Sequence, residues 1–335
     1  MMENQRLLLG AAMAFVLFLL WQNWLEFQAK KHPPPAPPVA TAPAGATGLT
    51  DPTGSTLLAL KPGEDVPVAG PAVSAGPQAL GGGQRVRVVT DMFEAEIDTL
   101  GGDLRRVGLR TYPESVQQPD QPFQLLKDSG ADIFIAQSGL LALNDAPAPN
   151  HYAQFSAEQD EYRLADGQDT LEVRLNWSDP SGLKVVKTYT FRRGSFLVEL
   201  NHRVENNSAD DWQGSQYRQL QRTPPHKANS YFGGGVVTYT GAVISTPEQR
   251  YEKISFSDMD KKELNQSVKD GWIAMIQHYF LGAWLPNPGE TDDFYTRVVG
   301  GNRYVVGMRG GVQAVPAGAT GDFHTRLYVG PKLPS

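Results

Sequence analysis

The sequence predicts a large all-β domain that follows a single membrane-spanning helix and a disordered linker. Short runs of alternating apolar and polar residues, separated by turn residues, fill the chain after Gln84. Helical periodicity is scarce in the same part, with room for only one or two short helices. The 335 residues include 34 glycines and 25 prolines, together about 18 % of the chain against roughly 12 % in an average protein. The position of this excess separates the linker from the folded domain.

An uncharged segment near the N-terminus predicts a membrane anchor. Residues 7–25 contain no charged side chain, and at ~1.5 Å per residue a helix of this length spans about 28 Å, close to the hydrocarbon thickness of a bilayer. Trp21 and Trp24 lie at one end of it, where indole rings favour the headgroup region. No small-x-small cleavage site follows. We therefore expect residues 1–29 to form an uncleaved signal anchor with a cytoplasmic N-terminus and an exported remainder.

The next segment predicts a tether. From His32 to Gln84 the chain holds eleven prolines, nine glycines, four charges and no aromatic residue. Such a composition cannot bury enough apolar surface to offset the entropy lost on ordering. It begins with a proline-rich run at 33–38, typical of polyproline II, and ends in three consecutive glycines. Residues 30–84 are therefore predicted to be a disordered linker between the membrane and a folded domain.

Three neighbouring strands indicate the architecture of the folded domain. Residues 171–177, 184–191 and 196–204 alternate between apolar and polar side chains, and short turns separate them. This pattern predicts an antiparallel meander. Roughly 250 residues of strand without a helical layer predict a sandwich of two facing sheets. We assign this domain to residues 85–331 and regard 332–335 as the start of a connection to a further part.

Other segments are assigned by the same patterns. Further strands are predicted at 85–89, 93–97, 104–109, 133–137, 236–239, 303–308 and 323–329. Residues 271–285 fit helical and strand periodicity about equally, but Gly271, Gly282 and Pro286 favour strands. Residues 258–265 predict a short surface helix.

Composition and motif searches exclude several functions. The chain carries 30 basic and 36 acidic residues, a net charge of −6, which argues against nucleic-acid binding through phosphate neutralisation. The absence of cysteine excludes disulfides, Cys-ligated zinc and a thiol nucleophile. The sequence contains no phosphate-binding loop, nucleophile elbow or paired metal-binding histidines. We therefore predict no catalytic residue, no metal site and no cofactor.

One enzymatic alternative stays open at this point. A large sandwich could bind a sugar in a cleft, where Glu248 or Glu252 paired with His226 or His278 would serve as acid and base. Nothing in their spacing selects this arrangement over solvated charged turns. His202 lies on the apolar face of a predicted strand and is interpreted as a hydrogen-bonded core histidine.

A series of short phrases carries a resemblance to a known family. The phrases are WQNW at 21–24, GGD at 101–103, QPFQLL at 121–126, QSGL at 137–140, KTYTF at 187–191, STPE at 245–248, YEK at 251–253, GWIAM at 271–275, YF at 279–280, AW at 283–284 and YVGPK at 328–332. In this order, behind an anchor and a proline-rich tether, they resemble the first transmembrane segment and the large periplasmic domain of the Gram-negative YidC membrane protein insertases.

The resemblance implies a fold, a location and a role. It implies a β-supersandwich of the galactose-mutarotase type, located in the periplasm and anchored in the inner membrane. Proteins of this family are not enzymes and use no cofactor; they insert, fold and assemble inner-membrane proteins, alone or with the Sec translocon. The implied partners are the Sec translocon with its SecD, SecF and YajC type subunits, nascent membrane-protein clients and the lipid bilayer. The family's membrane-embedded groove has no counterpart in this sequence, so the present part is expected to act as a scaffold and docking domain.

The resemblance also points to a docking region. By position, residues 215–257 correspond to the part of the family's domain that contacts SecF, and packing within the domain is an equally open reading of their aromatic side chains. The candidate partner-binding residues are Tyr231, Phe232, Tyr239 and Tyr251. Residues 272–284 would help to couple the domain to the membrane core, with core packing as the alternative.

Overall fold

The computed structural model describes residues 80–130, 132–225, 239–300 and 302–332. Within these residues the regular secondary structure is β-strand throughout, apart from a single short helix. The prediction of an all-β domain is therefore confirmed. The predicted anchor with Trp21 and Trp24, and most of the predicted linker, lie outside the described residues. Among the residues that are described, no helix has the length and apolar character needed to cross a membrane.

The described strands and the helix follow one another without long interruptions. In chain order they are β1 (Arg85–Val89), β2 (Phe93–Asp98), β3 (Asp103–Ser115), β4 (Gln118–Leu126), β5 (Phe134–Ala142), β6 (Ser156–Ala157), β7 (Glu161–Arg163), β8 (Thr170–Ser178), β9 (Leu183–Arg192), β10 (Leu197–Asn206), β11 (Trp212–Arg222), β12 (Gly241–Ser245), β13 (Glu252–Ile254), α1 (Phe256–Lys261), β14 (Asn265–Lys269), β15 (Trp272–Gln277), β16 (Phe280–Leu285), β17 (Thr291–Val299), β18 (Arg303–Arg309), β19 (Gln313–Val315) and β20 (Thr320–Pro331).

The strands form two sheets. The first has 11 strands in the order β14-β17-β18-β11-β5-β3-β2-β1-β7, with β19 paired to β11 and β4 paired to β3. The second has nine strands in the order β13-β12-β15-β16-β20-β10-β9-β8-β6. The paired strands are antiparallel, as in β9 with β10, whereas β1 and β7 run parallel. Both sheets contribute to one large apolar cluster, as a two-sheet sandwich requires.

The predicted meander is present in the second sheet as β8, β9 and β10. Its alternation places Val173, Tyr189 and Leu200 in the core, each at most 1 % exposed, while the intervening side chains point to the outer face. Gly182 and Gly194 occupy the two connecting turns with φ of 102° and 68°, a region that glycine adopts without steric cost. The sequence pattern and the structure agree here because one face is buried and the other is solvated.

Two ambiguous segments are now resolved. Residues 271–285 form the hairpin β15–β16, as predicted from the glycines that interrupt the segment. Helix α1 begins two residues earlier than predicted, because Ser255 caps it: the Ser255 hydroxyl accepts the backbone N–H of Asp258, and the Asp258 carboxylate accepts that of Ser255. Residues 262–265 are not helical. The strand predicted at 236–239 lies outside the described residues except for Tyr239.

The folded part begins slightly before Arg85. The backbone N–H of Gly83 donates to Asp98 Oδ1 at 2.7 Å, and that of Gln84 donates to Thr99 Oγ1 at 2.8 Å. A Cβ atom on Gly83 would lie 2.5 Å from Thr99 Oγ1. The glycine interpreted as part of a flexible linker end is therefore used for close approach to the domain.

Candidate functional site

The short strand β13 and its surroundings contain those candidate docking residues that the structure describes. Tyr251 directly precedes β13 and is 51 % exposed. Lys253 lies within the strand, with its ammonium nitrogen 5.0 Å from the ring centroid of Tyr239 and 5.9 Å from that of Tyr251. Both distances allow a cation–π interaction. The structure thus brings Tyr239 and Tyr251 together around one lysine, whereas Tyr231 and Phe232 lie outside the described residues.

The two tyrosines differ in their roles. The Tyr239 hydroxyl donates to the carbonyl oxygen of Ala242 at 2.7 Å, and its ring lies so close to Gly241 that a Cβ there would be 2.6 Å from the hydroxyl. Burial raises the pKa of Tyr239 above its usual value. Tyr239 is therefore mainly a packing residue of β12. Tyr251 is about half exposed, so a partner could reach it.

The backbone of β13 adds a second recognition element. Among the described residues, β13 pairs with β12 on one side and forms the edge of the second sheet. An edge strand offers unpaired N–H and C=O groups to which a further strand can be added. Its length of three residues limits such pairing to a short segment. The aromatic rings of Tyr239 and Tyr251 and the ammonium group of Lys253 lie beside this edge.

A further basic residue, not singled out from the sequence, lies near Lys253. Lys332 follows β20, and its ammonium group donates to the carbonyl of His278 at 2.8 Å. The pKa of Lys332 is lowered, first by burial and then by the nearby Lys253 ammonium. We call Tyr239, Tyr251, Lys253 and Lys332 the docking edge. The phrases around 251–253 and 328–332 contain these lysines, but nothing in the sequence indicates that two segments so far apart meet.

Three of the proposed sugar-processing residues can be placed in the structure. A trough of about 800 Å³ lies on the outer face of the second sheet, and Glu248, Glu252 and His278 are not among its lining residues. Glu248 and His278 are exposed, in the β12–β13 connection and the β15–β16 turn respectively. His226 lies outside the described residues. The trough therefore does not bring Glu248, Glu252 and His278 together.

Three of the sequence phrases meet in the core around one lysine. Lys187 is fully buried, and its ammonium group donates to the carbonyls of Gly101 at 2.9 Å and Ser138 at 3.0 Å. The hydroxyl of Tyr189, two residues further along β9, donates to the carbonyl of Gly102 at 2.6 Å. Asp103 Oδ1 lies 3.9 Å from the ammonium. Desolvation lowers the pKa of Lys187 to about 8, and Asp103 opposes this effect. These contacts tie the two sheets together.

His202 is the buried core histidine that its pattern predicted. Its side chain is fully buried, and its Nδ1 lies 2.8 Å from the Nε2 of Gln216, which can only donate. The pKa of His202 is well below the usual value, first because of burial and then because of the positive charges of Lys187 and Arg218. The imidazole is therefore neutral and serves the packing between the sheets.

A family model decides the relationship of the chain. The model described as the YidC periplasmic domain matches residues 85–335. The chain belongs to the YidC periplasmic-domain family. The matched range begins at the same residue as strand β1 and includes all the described strands of both sheets. The two-sheet sandwich is therefore the part of the chain that matches the YidC family.

Curated relatives agree with the YidC assignment. A membrane protein insertase YidC of Methylococcus capsulatus is 43 % identical over 334 residues, which cover 99 % of this chain and 58 % of that relative. The YidC protein of Thioalkalivibrio sulfidiphilus is 43 % identical over 345 residues, covering 99 % of this chain and 59 % of the relative. The chain thus spans a little under three fifths of the length of these relatives.

Solved structures that match the chain with TM-scores below 0.5 include two proteins described as related to galactose mutarotase. A galactose mutarotase related enzyme from Lactobacillus acidophilus has a TM-score of 0.46 at 10 % identity, covering 75 % of this chain and 100 % of that one. A galactose mutarotase-like protein from Lactobacillus casei has a TM-score of 0.46 at 8 % identity, covering 73 % of this chain and 99 % of that one. The architecture itself is established by the strand pairing of the two sheets.

Proposed function

We propose that this chain is the anchor and periplasmic part of an inner-membrane insertase. In this proposal it helps to insert, fold and assemble integral membrane proteins, alone or with the Sec translocon. The observation that carries the proposal is the family match over residues 85–335, together with relatives named membrane protein insertase that align over 99 % of this chain. The chain spans 58 % of such a relative, so the insertion step itself is assigned to the remainder of the longer protein.

The role proposed for the domain is that of a scaffold and docking module. It requires neither turnover nor a cofactor. The proposed partners are auxiliary subunits of the Sec translocon, nascent membrane-protein clients and the bilayer. The docking edge supports this role, because an exposed tyrosine, two lysines and a strand edge that is unpaired among the described residues occur there. An acidic or aromatic segment of a partner would complement these groups.

The proposed location follows from the anchor. Residues 7–25 would cross the inner membrane with the N-terminus in the cytoplasm, and Trp21 and Trp24 would lie at the far headgroup region. The sandwich would then lie in the periplasm. Cleavage of the domain by a protease added to spheroplasts, with protection in intact cells, is the expected result for this orientation.

Site-specific crosslinking tests the docking role. A photoreactive phenylalanine analogue is placed at Tyr251, which is 51 % exposed, and separately at Tyr152, which is 49 % exposed and lies before β6. Irradiation of inner-membrane vesicles is expected to give an adduct with a Sec auxiliary subunit from position 251 only. The two positions are matched in residue type and exposure. Equal adducts from both positions, or none from 251, would show that the edge is not the docking surface.

A further inference from the structure

The turn between β15 and β16 carries the most exposed tyrosine among the residues that the structure describes. Tyr279 is 68 % exposed. The ring of the neighbouring His278, which is also exposed, stands edge-on to it with 3.8 Å between the ring centroids. A single exposed ring is common on protein surfaces, so the surroundings of this turn decide its role.

The turn is held in a fixed position at the place where the chain leaves β20. The backbone N–H of Lys332 donates to the carbonyl of Tyr279 at 2.7 Å, and its ammonium group donates to the carbonyl of His278 at 2.8 Å. On the inner side, the ring of Phe280 stacks on that of Phe123 with 4.3 Å between the centroids. We call His278, Tyr279 and Lys332 the exit patch.

The exit patch has positive charge that no carboxylate balances. The ammonium group of Lys332 has three N–H donors and uses one of them for the His278 carbonyl. The pKa of Lys332 is lowered by partial desolvation and then by the ammonium group of Lys253. In the part of the chain that the structure describes, neither lysine forms an ion pair. Two such ammonium groups beside an exposed tyrosine favour an anionic partner group.

The backbone at the exit patch offers no edge for a further strand. Strand β16 pairs with β15 on one side and with β20 on the other, and β20 also pairs with β10. A partner strand therefore cannot be added here. An exposed turn is convex and encloses no ligand, but a fluid lipid surface can adapt to it. Tyrosine rings favour the headgroup region of a bilayer, and lysine side chains extend their ammonium groups to the phosphates.

The exit patch and the end of the predicted linker lie at opposite ends of β3. The linker end is hydrogen-bonded to Asp98 and Thr99, and Asp98 pairs with Asp103 at the start of β3. Tyr112 lies nine positions after Asp103 and meets the ring of Phe280 edge-on, with 5.3 Å between the centroids. Nine positions correspond to about 30 Å at ~3.3 Å per residue. A membrane contact at the exit patch would thus define which end of the domain faces the bilayer.

We propose that the exit patch contacts the phospholipid headgroups of the membrane, with the Tyr279 ring at headgroup level and the Lys332 ammonium group on a lipid phosphate. The linker end of β3 then points away from the bilayer. This inference rests on the proposed inner-membrane location, because the domain must lie beside a bilayer. It does not depend on a Sec partner. Lys332 belongs to both the exit patch and the docking edge, whereas Tyr279 and Tyr251 probe the two surfaces separately.

Fluorescence quenching in reconstituted vesicles tests the contact. The 335-residue chain contains no cysteine, so Tyr279→Cys and, separately, Tyr152→Cys each accept one fluorescent label. Tyr152 is 49 % exposed and lies at the linker end, where Gln154 bridges to Leu100. The vesicles contain phosphatidylethanolamine, phosphatidylglycerol and a lipid with a nitroxide on its headgroup, which quenches nearby labels. Both leaflets contain this lipid, so either orientation of the chain can be measured.

Quenching is expected to be strong at position 279 and weak at position 152. Without the proposed contact, position 152 would be quenched at least as strongly, because the linker enters the domain beside it. Equal quenching, or stronger quenching at 152, would overturn the inference and leave the proposed location intact. Flotation of the vesicles checks the anchor. A chain that does not float with the vesicles would overturn the proposed location, and this inference with it.

Substitutions of Lys332 in the chain labelled at 279 test the role of the ammonium group. Lys332→Gln is expected to lower the ratio of contacting to free domain, measured from fluorescence lifetimes, about fivefold. Lys332→Arg keeps the charge and a donor for the His278 carbonyl and should keep the quenching. The matched control is Lys184→Gln, at an exposed lysine whose neighbour on β10 pairs with Thr320 at the far end of β20. Urea unfolding confirms that each variant is folded, and equal quenching in the two glutamine variants would contradict the phosphate contact.

Discussion

Replacing the buried Lys187 by methionine is expected to remove a pH dependence of stability. In the folded protein desolvation lowers the pKa of Lys187 from 10.5 to about 8. In the unfolded chain the lysine is solvated and has its usual pKa of about 10.4. At a pH between the two values the unfolded state binds more protons than the folded state. Stability therefore rises with pH through this window, because the cost of burying the ammonium disappears as the group loses its proton.

The size of the effect follows from the two pKa values. A pKa of about 8 against 10.5 corresponds to a total of about 3 kcal/mol at 1.36 kcal/mol for each pKa unit. Between about pH 7 and about pH 9.5, roughly 2 kcal/mol of this is recovered. The upper limit avoids ionisation of tyrosines in the unfolded chain, since burial raises the pKa of Tyr189 in the folded state and so lowers stability above about pH 10.

Urea unfolding followed by tryptophan fluorescence measures the effect at several pH values. The control is Lys184→Met, which removes an exposed lysine of the same strand. The free energy of unfolding is expected to rise by about 2 kcal/mol in the unmodified chain and in Lys184→Met, but not in Lys187→Met. Methionine also leaves the carbonyls of Gly101 and Ser138 without a donor, which lowers stability at every pH and does not change the slope. An equal rise in both variants would refute the reasoning.

Two further predictions concern buried groups. Gly101 and Gly167 both have φ of 80°, but only at Gly101 would a Cβ meet another atom, 2.4 Å from the His151 carbonyl oxygen. Gly167→Ala is thus expected to lower the free energy of unfolding by about 1 kcal/mol because of its φ angle alone. Gly101→Ala is expected to lower it by at least about 2 kcal/mol more, because its Cβ also clashes. Similar losses for the two variants in urea unfolding would contradict this prediction. Arg218→Met leaves the buried Asp292, whose carboxylate lies 2.9 Å from the guanidinium, without its cation. This change is expected to lower the free energy of unfolding by about 3–5 kcal/mol. The control Arg203→Met, at an exposed position, should change the free energy of unfolding by no more than about 0.5 kcal/mol. Equal thermal unfolding midpoints for the two variants would show that the buried ion pair does not contribute as expected.

The sequence predicted strands best where one face of the strand is solvated. The meander β8–β10 alternates cleanly, so its strands were located to within a few residues. Strand β11 escaped detection although it lies inside the first sheet between β18 and β5. Its side chains Gln216, Arg218 and Gln219 are polar and nevertheless at most 3 % exposed, because each is hydrogen-bonded to a residue on another strand. A polar strand that is buried on both faces carries no hydrophobic period.

Only part of the candidate docking edge could be identified from the sequence, for a different reason. Tyr239 and Tyr251 came from the resemblance to the family, since composition alone does not separate a docking tyrosine from a packing one. Lys253 and Lys332 meet there through strand pairing that runs from β13 across β12, β15 and β16 to β20. Contacts between segments so distant in sequence depend on the complete order of strands. That order is a property of the tertiary fold and leaves no local pattern.

Because of the position of β20, the second sheet can be completed only late in synthesis of the domain. This 12-residue strand is the last one described, yet it lies between β16 and β10 and joins the β12–β16 part to the β8–β10 meander. Its partner residues are far apart, as for Asn201 and Asp322, which are separated by 121 positions. In a chain that emerges N-terminus first, both parts keep an open strand edge until residue 331 arrives. Open edges attract other strands, so the growing domain is vulnerable to mispairing until its final strand closes the sheet.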